Sequence, residues 1–279
     1  MIGFTVAQKE RLTNLGAEPS GMSAEFGDAA LRDKAYKALE SSLAGENRAG
    51  LESLLRDRRH TAADNVASIL ENWLIEEEGF TKVSTPTVIP YSMLDRMTVT
   101  EDSSLRSQVY DVGGGRCLRP MLAPGLYEVM RELLRITGKT VRIFETGSCF
   151  RRDSKGATHL SEFTMLNFVE LAGVENGGQV DRLKSLAASA MAALGIQDYE
   201  FAEEKSVVYG VTLDVVSHGI EVASGSFGPH VLDDAWGIFD TWTGFGFGIE
   251  RLAMIRSGRH SVSQVGRSTS FLDGWSLRV

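Results

Sequence analysis

Glycine alternates with phenylalanine over residues 244–248, and an apolar run, residues 252–255, follows closely. Alternation with a period of two is typical of a strand, and Glu250-Arg251 ahead of the apolar run indicates that a helix begins there. Glycines leave one face of such a strand without side chains, so another molecule can approach its backbone closely. Arg251 would place a planar cation beside this face. The pattern favours a nucleotide with its phosphates, against the simpler interpretation of a glycine-rich strand packed under a neighbouring backbone.

Apolar residues at helical spacing predict helices elsewhere in the chain. The clearest runs from the capping residue Thr61 to about Glu78 and ends at Gly79. Its single apolar stripe consists of Val66, Ile69, Leu70, Trp73 and Leu74. Shorter patterns predict helices over residues 9–15, 28–43, 121–135 and 180–194.

Period-two patterns bounded by turn residues predict strands that pair as hairpins. Residues 108–111 and 117–120 would form one hairpin around the glycines at 113–115, which lack a phosphate-loop pattern. Residues 141–146 and 164–170 predict a long antiparallel hairpin, and residues 207–216 and 220–226 another that turns at His218-Gly219. Residues 80–86 predict an edge strand because Pro86 closes it. The long helix before this strand indicates a homodimer surface or, equally, an ordinary surface helix.

Length and composition limit the classes to which this chain can belong. Its 279 residues, 43% hydrophobic and 24% charged, suit one large globular domain with a small appendage. The sequence contains neither an apolar run of about 18 residues nor a secretory signal, so we expect a cytoplasmic protein without a membrane span. Cys117 and Cys149 lie far apart and are expected to be buried free thiols. The net charge of −8 argues against broad affinity for nucleic acids but permits a local basic face.

Residues 1–60 predict a helical appendage whose charge differs from that of the remainder. It holds nine Lys or Arg and nine Asp or Glu, whereas residues 61–279 hold 20 and 28. Arg56, Arg58 and Arg59, followed by His60, cluster at its end. Contact with a phosphate backbone is one interpretation of this cluster. A solvated helix end is the other.

Polar residues near strand ends suggest the chemistry of a site. Arg151 would hold a phosphate and Phe163 would stack on a base, unless this segment is an ordinary charged surface loop. Glu221 and Ser224 offer oxygen ligands for Mg²⁺, although a lone glutamate in a strand commonly faces solvent. Residues 121–135 bring leucines and methionines to one helix face, as part of the core or of an apolar substrate pocket. The histidines lack metal-ligand spacing, and no nucleophile constellation stands out.

Three ordered motifs resemble those of the class II aminoacyl-tRNA synthetases. Residues 78–86 resemble motif 1, residues 150–153 with His159 and Phe163 resemble motif 2, and residues 244–251 resemble motif 3. The strings LRPMLAP, HLSEFTMLNF, VVYG, VASGSFGP and GFGFGIERL, with RSTSFLDG, are similar to the pyrrolysyl-tRNA synthetase family over nearly the whole chain. The resemblance is to forms whose catalytic part is a separate polypeptide. Gly125, Asp153 and Val211 depart from the family's usual Asn, Glu and Asp, which bears on substrate contacts more than on the reaction.

The resemblance implies an α+β fold, the class II synthetase catalytic fold, with an antiparallel β-sheet flanked by helices. It implies a small helical, tRNA-contacting appendage at residues 1–60 and a catalytic domain at residues 61–279. The protein would be a homodimer that activates pyrrolysine or a lysine derivative with ATP and Mg²⁺. It would then pass the aminoacyl group to the amber-suppressor pyrrolysine tRNA. A separate N-terminal tRNA-binding protein could act as a further partner.

The same resemblance assigns roles to residues by position. Arg151 and Arg251 would be catalytic, gripping the α-phosphate and the γ-phosphate side of ATP. ATP would contact Arg151, Asp153, His159, Leu160, Phe163, Glu221, Ser224, Gly248 and Arg251, and Glu221 and Ser224 would hold Mg²⁺. The amino acid would contact Met121, Ala123, Leu126, Tyr127, Met130, Asn167, Val169, Tyr209, Ser226 and Trp242. The tRNA would contact Arg56, Arg58 and Arg59.

The amino-acid pocket would be a deep apolar chamber containing one amide side chain. An acylated lysine would fill it, whereas the ammonium of lysine would lose its water there with no carboxylate among the assigned residues. Asn167 would hydrogen-bond the acyl oxygen and Tyr209 would close the chamber, the plainer alternative being that Asn167 satisfies nearby backbone. Two rival functions are a non-catalytic paralogue that binds RNA or protein and a ligase that activates another acid. The intact motif residues favour an enzyme.

Overall fold

The protein is described here by a computed structural model that covers residues 1–152 and 156–279. Its α-helices are α1 (Val6–Asn14), α2 (Ala29–Asp57), α3 (Ala62–Glu76), α4 (Tyr91–Arg96), α5 (Ala123–Thr137), α6 (Gln179–Ala193), α7 (Ile249–Arg256) and α8 (Val262–Val265). Short 3-10 helices lie at Ser20–Met22, Arg106–Gln108 and Val231–Trp236. Within the described ranges, no helix is both long and apolar enough to cross a membrane.

A seven-stranded sheet, in the order β3-β7-β8-β12-β11-β10-β9, forms the centre of the fold. The strands are β1 (Ile2–Gly3), β2 (Glu25–Phe26), β3 (Thr81–Lys82), β4 (Val88–Pro90), β5 (Asp111–Gly113), β6 (Arg116–Leu118), β7 (Val141–Phe150), β8 (Glu162–Leu171), β9 (Glu200–Ser206), β10 (Gly210–Ser217), β11 (Ile220–Gly228), β12 (Trp242–Gly248), β13 (Phe271–Leu272) and β14 (Trp275–Ser276). Neighbours in the central sheet are antiparallel except β3 and β7. The predicted α+β class, with an antiparallel sheet flanked by helices, is confirmed.

Helices pack on both faces of this sheet and form two apolar cores. On one face, α3, α6 and α7 surround Phe168, Phe245 and Phe247. On the other face, α5 packs around Tyr127 and Trp242. Because strand residues alternate between faces, the phenylalanines of β12 enter the first core while its glycines face the second. The bare strand face predicted from the Gly-Phe alternation therefore exists, on the side of α5.

Several boundaries differ from the sequence-based prediction. α2 continues to residue 57 instead of ending near residue 43. Gly50, in this extension, packs closely against Trp275, because a Cβ at position 50 would lie only 2.2 Å from the Trp275 ring. β3 is limited to two residues, and beyond it the Thr85 hydroxyl donates to Glu145 (2.7 Å). The acid-rich edge strand β9 has no predicted counterpart, since its exposed charges hide the apolar alternation. The long hairpin β7–β8 and the turn at His218-Gly219 are confirmed.

Both cysteines are buried free thiols, as predicted. Burial raises the pKa of Cys117 to about 11 and the pKa of Cys149 to about 12. Both thiols are therefore protonated at neutral pH.

The N-terminal helices have a small core of their own and are joined to the rest of the chain through the hairpin β13–β14. Phe4 and Leu12 are buried within this small core. Asn47 of α2 accepts a hydrogen bond from Ser276 N (2.5 Å), which ties the helix to β14. The predicted domain boundary after residue 60 falls between α2 and α3.

Candidate active site

One continuous cavity of about 510 Å³ lies over the glycine face of β12. It is lined by every described residue that the sequence analysis assigns to ATP or to the amino acid. Asp153 lies outside the described residues. The lining divides into a charged half near the start of α7 and an apolar half against α5, so one cavity could hold a charged and an apolar ligand end to end.

Arg251, in the first turn of α7, is oriented across the charged half by carbonyl groups. Its Nη1 donates to Glu221 O (2.8 Å) and its Nε to Thr158 O (3.3 Å). His159 Nε2 lies 3.5 Å from Arg251 Nη2. These contacts leave the Arg251 guanidinium partly exposed to the cavity, where it can bind an anion.

Arg151, just after β7, is held at another wall of the same half. Its Nε donates to Pro120 O (2.9 Å), and its guanidinium carbon lies 5.3 Å from the centre of the Phe163 ring. The neighbouring Arg119 forms a buried ion pair with Glu145 (2.6 Å). This pair, which the sequence analysis missed, fixes the segment that orients Arg151. The phenylalanine ring and the arginine together form a surface on which a base can stack.

Asp214, a carboxylate that the sequence analysis missed, contacts one of the two residues assigned to Mg²⁺. Ser224 Oγ donates to Asp214 Oδ1 (2.6 Å), and these residues are directly opposite each other in the β10–β11 ladder. Glu221 Oε1 lies 3.4 Å from Arg251 Nη1. A set of carboxylate and hydroxyl oxygens suits Mg²⁺, which needs few protein ligands because it keeps several waters. Among the described residues, no cluster of three His, Cys, Asp or Glu is arranged to hold a metal.

Glu250 is a second residue whose role the sequence analysis did not assign. It is buried, and both of its carboxylate oxygens accept from Thr164 N at 2.9 Å. Burial raises the pKa of this carboxyl group, and the hydrogen bond from Thr164 N opposes that effect. Glu250 thereby ties the start of β8, next to Phe163, to the turn that carries Arg251.

The apolar half is a chamber between α5 and the central sheet. Its lining includes Met121, Ala123, Leu126, Tyr127, Met130, Asn167, Val169, Tyr209, Ser226 and Trp242. Asn167 Oδ1 is buried and has no hydrogen-bond partner among the described residues. A buried polar atom without a partner is unfavourable, so this atom indicates that a ligand completes the site.

Asp233, in the 3-10 helix Val231–Trp236, is a buried carboxylate behind this chamber that the sequence analysis overlooked. It accepts hydrogen bonds from Tyr127 Oη (3.1 Å) and Trp242 Nε1 (2.8 Å). Burial, with Tyr209 and Asp233 close by, raises the pKa of the Tyr127 phenol. Burial also raises the pKa of Tyr209, so both phenols are neutral.

The basic cluster at the end of α2 lies apart from the cavity lining. Arg56 pairs with Asp57 (3.2 Å), and Arg59 pairs with the buried side chain of Asp273 (2.8 Å). Arg58 ends the helix with a left-handed backbone (φ 49°). Arg59 therefore has a structural partner, which neither interpretation of the cluster foresaw.

Two departures from the family pattern have a visible structural context. A Cβ at Gly125 would lie 2.2 Å from Thr85 Oγ1, so Thr85 occupies the space of any larger side chain there. Val211 is exposed, near the start of β10. Neither position carries a polar side chain into the described cavity.

Comparison with known proteins gives consistent results. The family model for the tRNA synthetases class II core domain (F) matches residues 56–271. The structure of Desulfitobacterium hafniense PylSc, a pyrrolysyl tRNA synthetase, is 42% identical with a TM-score of 0.90, over 99% of this chain and 96% of that one. A crystal structure of pyrrolysyl-tRNA synthetase from the same organism is 44% identical with a TM-score of 0.91, over 99% of both chains.

Proposed function

The chain belongs to the class II aminoacyl-tRNA synthetases, among the pyrrolysyl-tRNA synthetases, and is an aminoacylating ligase; we propose that its substrates are pyrrolysine and the amber-suppressor pyrrolysine tRNA. The observation that carries the proposal is the continuity of the cavity. The charged half of the cavity, which contains two arginines, adjoins the apolar chamber. In the chamber, the buried Oδ1 atom of Asn167 lacks a hydrogen-bond partner among the described residues. This arrangement suits ATP beside an uncharged amino-acid side chain that ends in an amide, whose N–H can donate to Asn167 Oδ1.

The first step joins the amino-acid carboxylate to the α-phosphate of ATP and releases pyrophosphate. The enzyme supplies no nucleophile in this step, so its residues act by alignment and by neutralising charge at phosphorus. Arg151 would contact the α-phosphate and Arg251 the γ-phosphate side. Adenine would lie between Phe163 and Arg251, with His159, Leu160 and Gly248 lining the same half.

Glu221 and Ser224 would hold Mg²⁺, with Asp214 orienting the Ser224 hydroxyl. The bound ion would neutralise phosphate charge and orient the pyrophosphate leaving group. Glu221 faces Arg251 across 3.4 Å, and phosphates bound between them would give both side chains new partners. In the second step, the aminoacyl group passes from the adenylate to the terminal ribose of the tRNA.

Assembly and partners belong to the same proposal. Homodimerisation through α3 and the edge strand β3 would use Ile75 on α3, an apolar side chain that is 43% exposed. The helical unit of residues 1–60, with Arg56, Arg58 and Arg59, would contact the tRNA. A separate tRNA-binding protein could add to that contact. The free thiols and the tRNA substrate are consistent with a cytoplasmic protein.

A tRNA-charging assay tests the proposed substrates. The protein, ATP, Mg²⁺ and pyrrolysine are incubated with the amber-suppressor pyrrolysine tRNA, with lysine tRNA as the matched control. We expect charging of the first tRNA alone, and its loss when ATP is omitted or EDTA is added. Charging of neither tRNA, with an active D. hafniense enzyme as positive control, would favour the rival ligase or the non-catalytic paralogue.

A further inference from the structure

Asp233 lies behind the chamber and is not part of its lining, yet it contacts two of the side chains that form the chamber wall. It is 2% exposed. Tyr127 reaches it from α5 and Trp242 reaches it from β12. His230 N completes the set by donating to Asp233 Oδ2 (2.6 Å).

A buried carboxylate is unfavourable unless hydrogen-bond donors compensate its charge. The two hydrogen bonds to side chains turn the polar ends of Tyr127 and Trp242 towards Asp233. The aromatic rings are packed together, with centroids 5.7 Å apart and nearly perpendicular planes. The chamber therefore presents ring surfaces, while the buried carboxylate of Asp233 is covered by the side chains that form the wall.

We propose that Asp233 is a positioning residue that sets the amino-acid specificity of the site. It fixes Tyr127 and Trp242 in the orientation that keeps the chamber apolar, and its charge is satisfied by them and by His230 N. A lysine ammonium in the chamber then finds no open carboxylate, whereas an acylated lysine needs none. The inference rests on the proposed function, since it concerns the chamber that would hold the amino-acid side chain.

The first test uses Asp233→Asn, which keeps the shape of the side chain and removes its charge. Asp234→Asn is the matched control, because Asp234 is the exposed neighbour in the same 3-10 helix. ATP–pyrophosphate exchange is measured with an Nε-acyl lysine. For Asp233→Asn we expect the KM of the amino acid to rise about tenfold, as for the loss of a charge-assisted hydrogen bond, with an unchanged KM for ATP. A merely structural role would lower the fraction of active enzyme and leave both KM values unchanged.

The second test keeps the Asp233 carboxylate and removes one of its hydrogen-bond donors. Tyr127→Phe deletes the hydroxyl that donates to Asp233 Oδ1 and keeps the ring. We expect exchange driven by free lysine to rise about tenfold in this variant, and to return to the wild-type level in Tyr127→Phe/Asp233→Asn.

Unchanged use of lysine by a folded Tyr127→Phe, or a wild-type amino-acid KM for Asp233→Asn, would overturn the proposal. If Asp233→Asn does not fold, the Tyr127→Phe comparison decides alone. Absence of exchange in the wild type with any acylated lysine is a different outcome, since it would contradict the proposed function itself.

Discussion

Gly246 lies directly opposite Asn167 in the β8–β12 ladder, and a Cβ at position 246 would stand 3.0 Å from Asn167 Nδ2. The glycine thus leaves room for the amide side chain within the cavity. The glycines of this strand therefore leave space for the Asn167 side chain of the neighbouring strand, which can then bind a ligand.

Asn167→Ala should lose most activity towards acylated lysine. The variant leaves the buried amide group of the ligand without its partner, which costs about 1–3 kcal/mol. The space released should admit a phenylalanine derivative with a bulky aromatic group. Exchange kinetics of wild type and variant with both amino acids measure this. An unchanged preference would show that Asn167 does not read the amide.

Arg251→Ala should slow adenylate formation about 100- to 1,000-fold while the fold stays intact. Losing a charge-assisted contact to a phosphate in a partly desolvated site should cost roughly 2.7–4 kcal/mol, on the scale of one oxyanion donor. The matched control is Arg135→Ala, since the Arg135 side chain is 67% exposed and pairs only with Glu132 among the described residues. Near-normal pyrophosphate exchange in Arg251→Ala would show that Arg251 does not bind ATP.

Replacing Arg58 and Arg59 by Gln should weaken tRNA charging and reduce its salt dependence, because fewer counterions are released on binding. Pyrophosphate exchange without tRNA should be unaffected. A parallel fall in exchange and charging would show that Arg58 and Arg59 have a structural role.

Arg59 requires a control of its own because it pairs with Asp273. Asp273→Asn removes the charge of this partner, keeps the cation, and suits the left-handed backbone at position 273 (φ 51°). If Arg59 acts on the tRNA, Asp273→Asn should retain charging that Arg59→Gln loses. Equal losses in both variants would assign the effect to the ion pair.

Gly125→Ala should destabilise the protein by about 1–3 kcal/mol, because the added methyl group overlaps Thr85. Thr85 cannot move freely, since its hydroxyl binds Glu145 and accepts from Arg119 (3.1 Å). Gly45→Ala in α2 is the control: a Cβ there meets nothing within 4 Å, so stability should rise by about 0.5–1 kcal/mol.

Thermal unfolding of both variants, and of Gly125→Ala in a Thr85→Ala background, measures this coupling. The cost should fall in that background, because two of the three contacts, to Thr85 Oγ1 (2.2 Å) and Cγ2 (2.9 Å), are removed. An equal cost with and without the Thr85 hydroxyl would contradict the steric explanation for glycine at position 125.

Local patterns sufficed to predict the parts of the site whose residues are close in sequence. The strand–helix junction at Arg251 and the hairpin that carries Phe163 could be predicted from period and turn residues. The contacts of Asp233 and Asp214 could not, because their partners come from distant segments and a single acidic residue carries no periodic signal. The predicted length of α2 was wrong for the same reason, since Gly50 packs against Trp275, which lies far away in the sequence.

Pyrophosphate exchange by the wild-type protein, driven by an Nε-acyl lysine and in parallel by lysine, tests the central claim most directly. The chamber should strip water from the lysine ammonium at a cost of several kcal/mol, and each 1.4 kcal/mol is a factor of ten. We therefore expect exchange with the acylated amino acid to exceed that with lysine by at least about a hundredfold. Comparable exchange with both, or exchange with lysine alone, would contradict the assignment of an apolar, amide-reading amino-acid site.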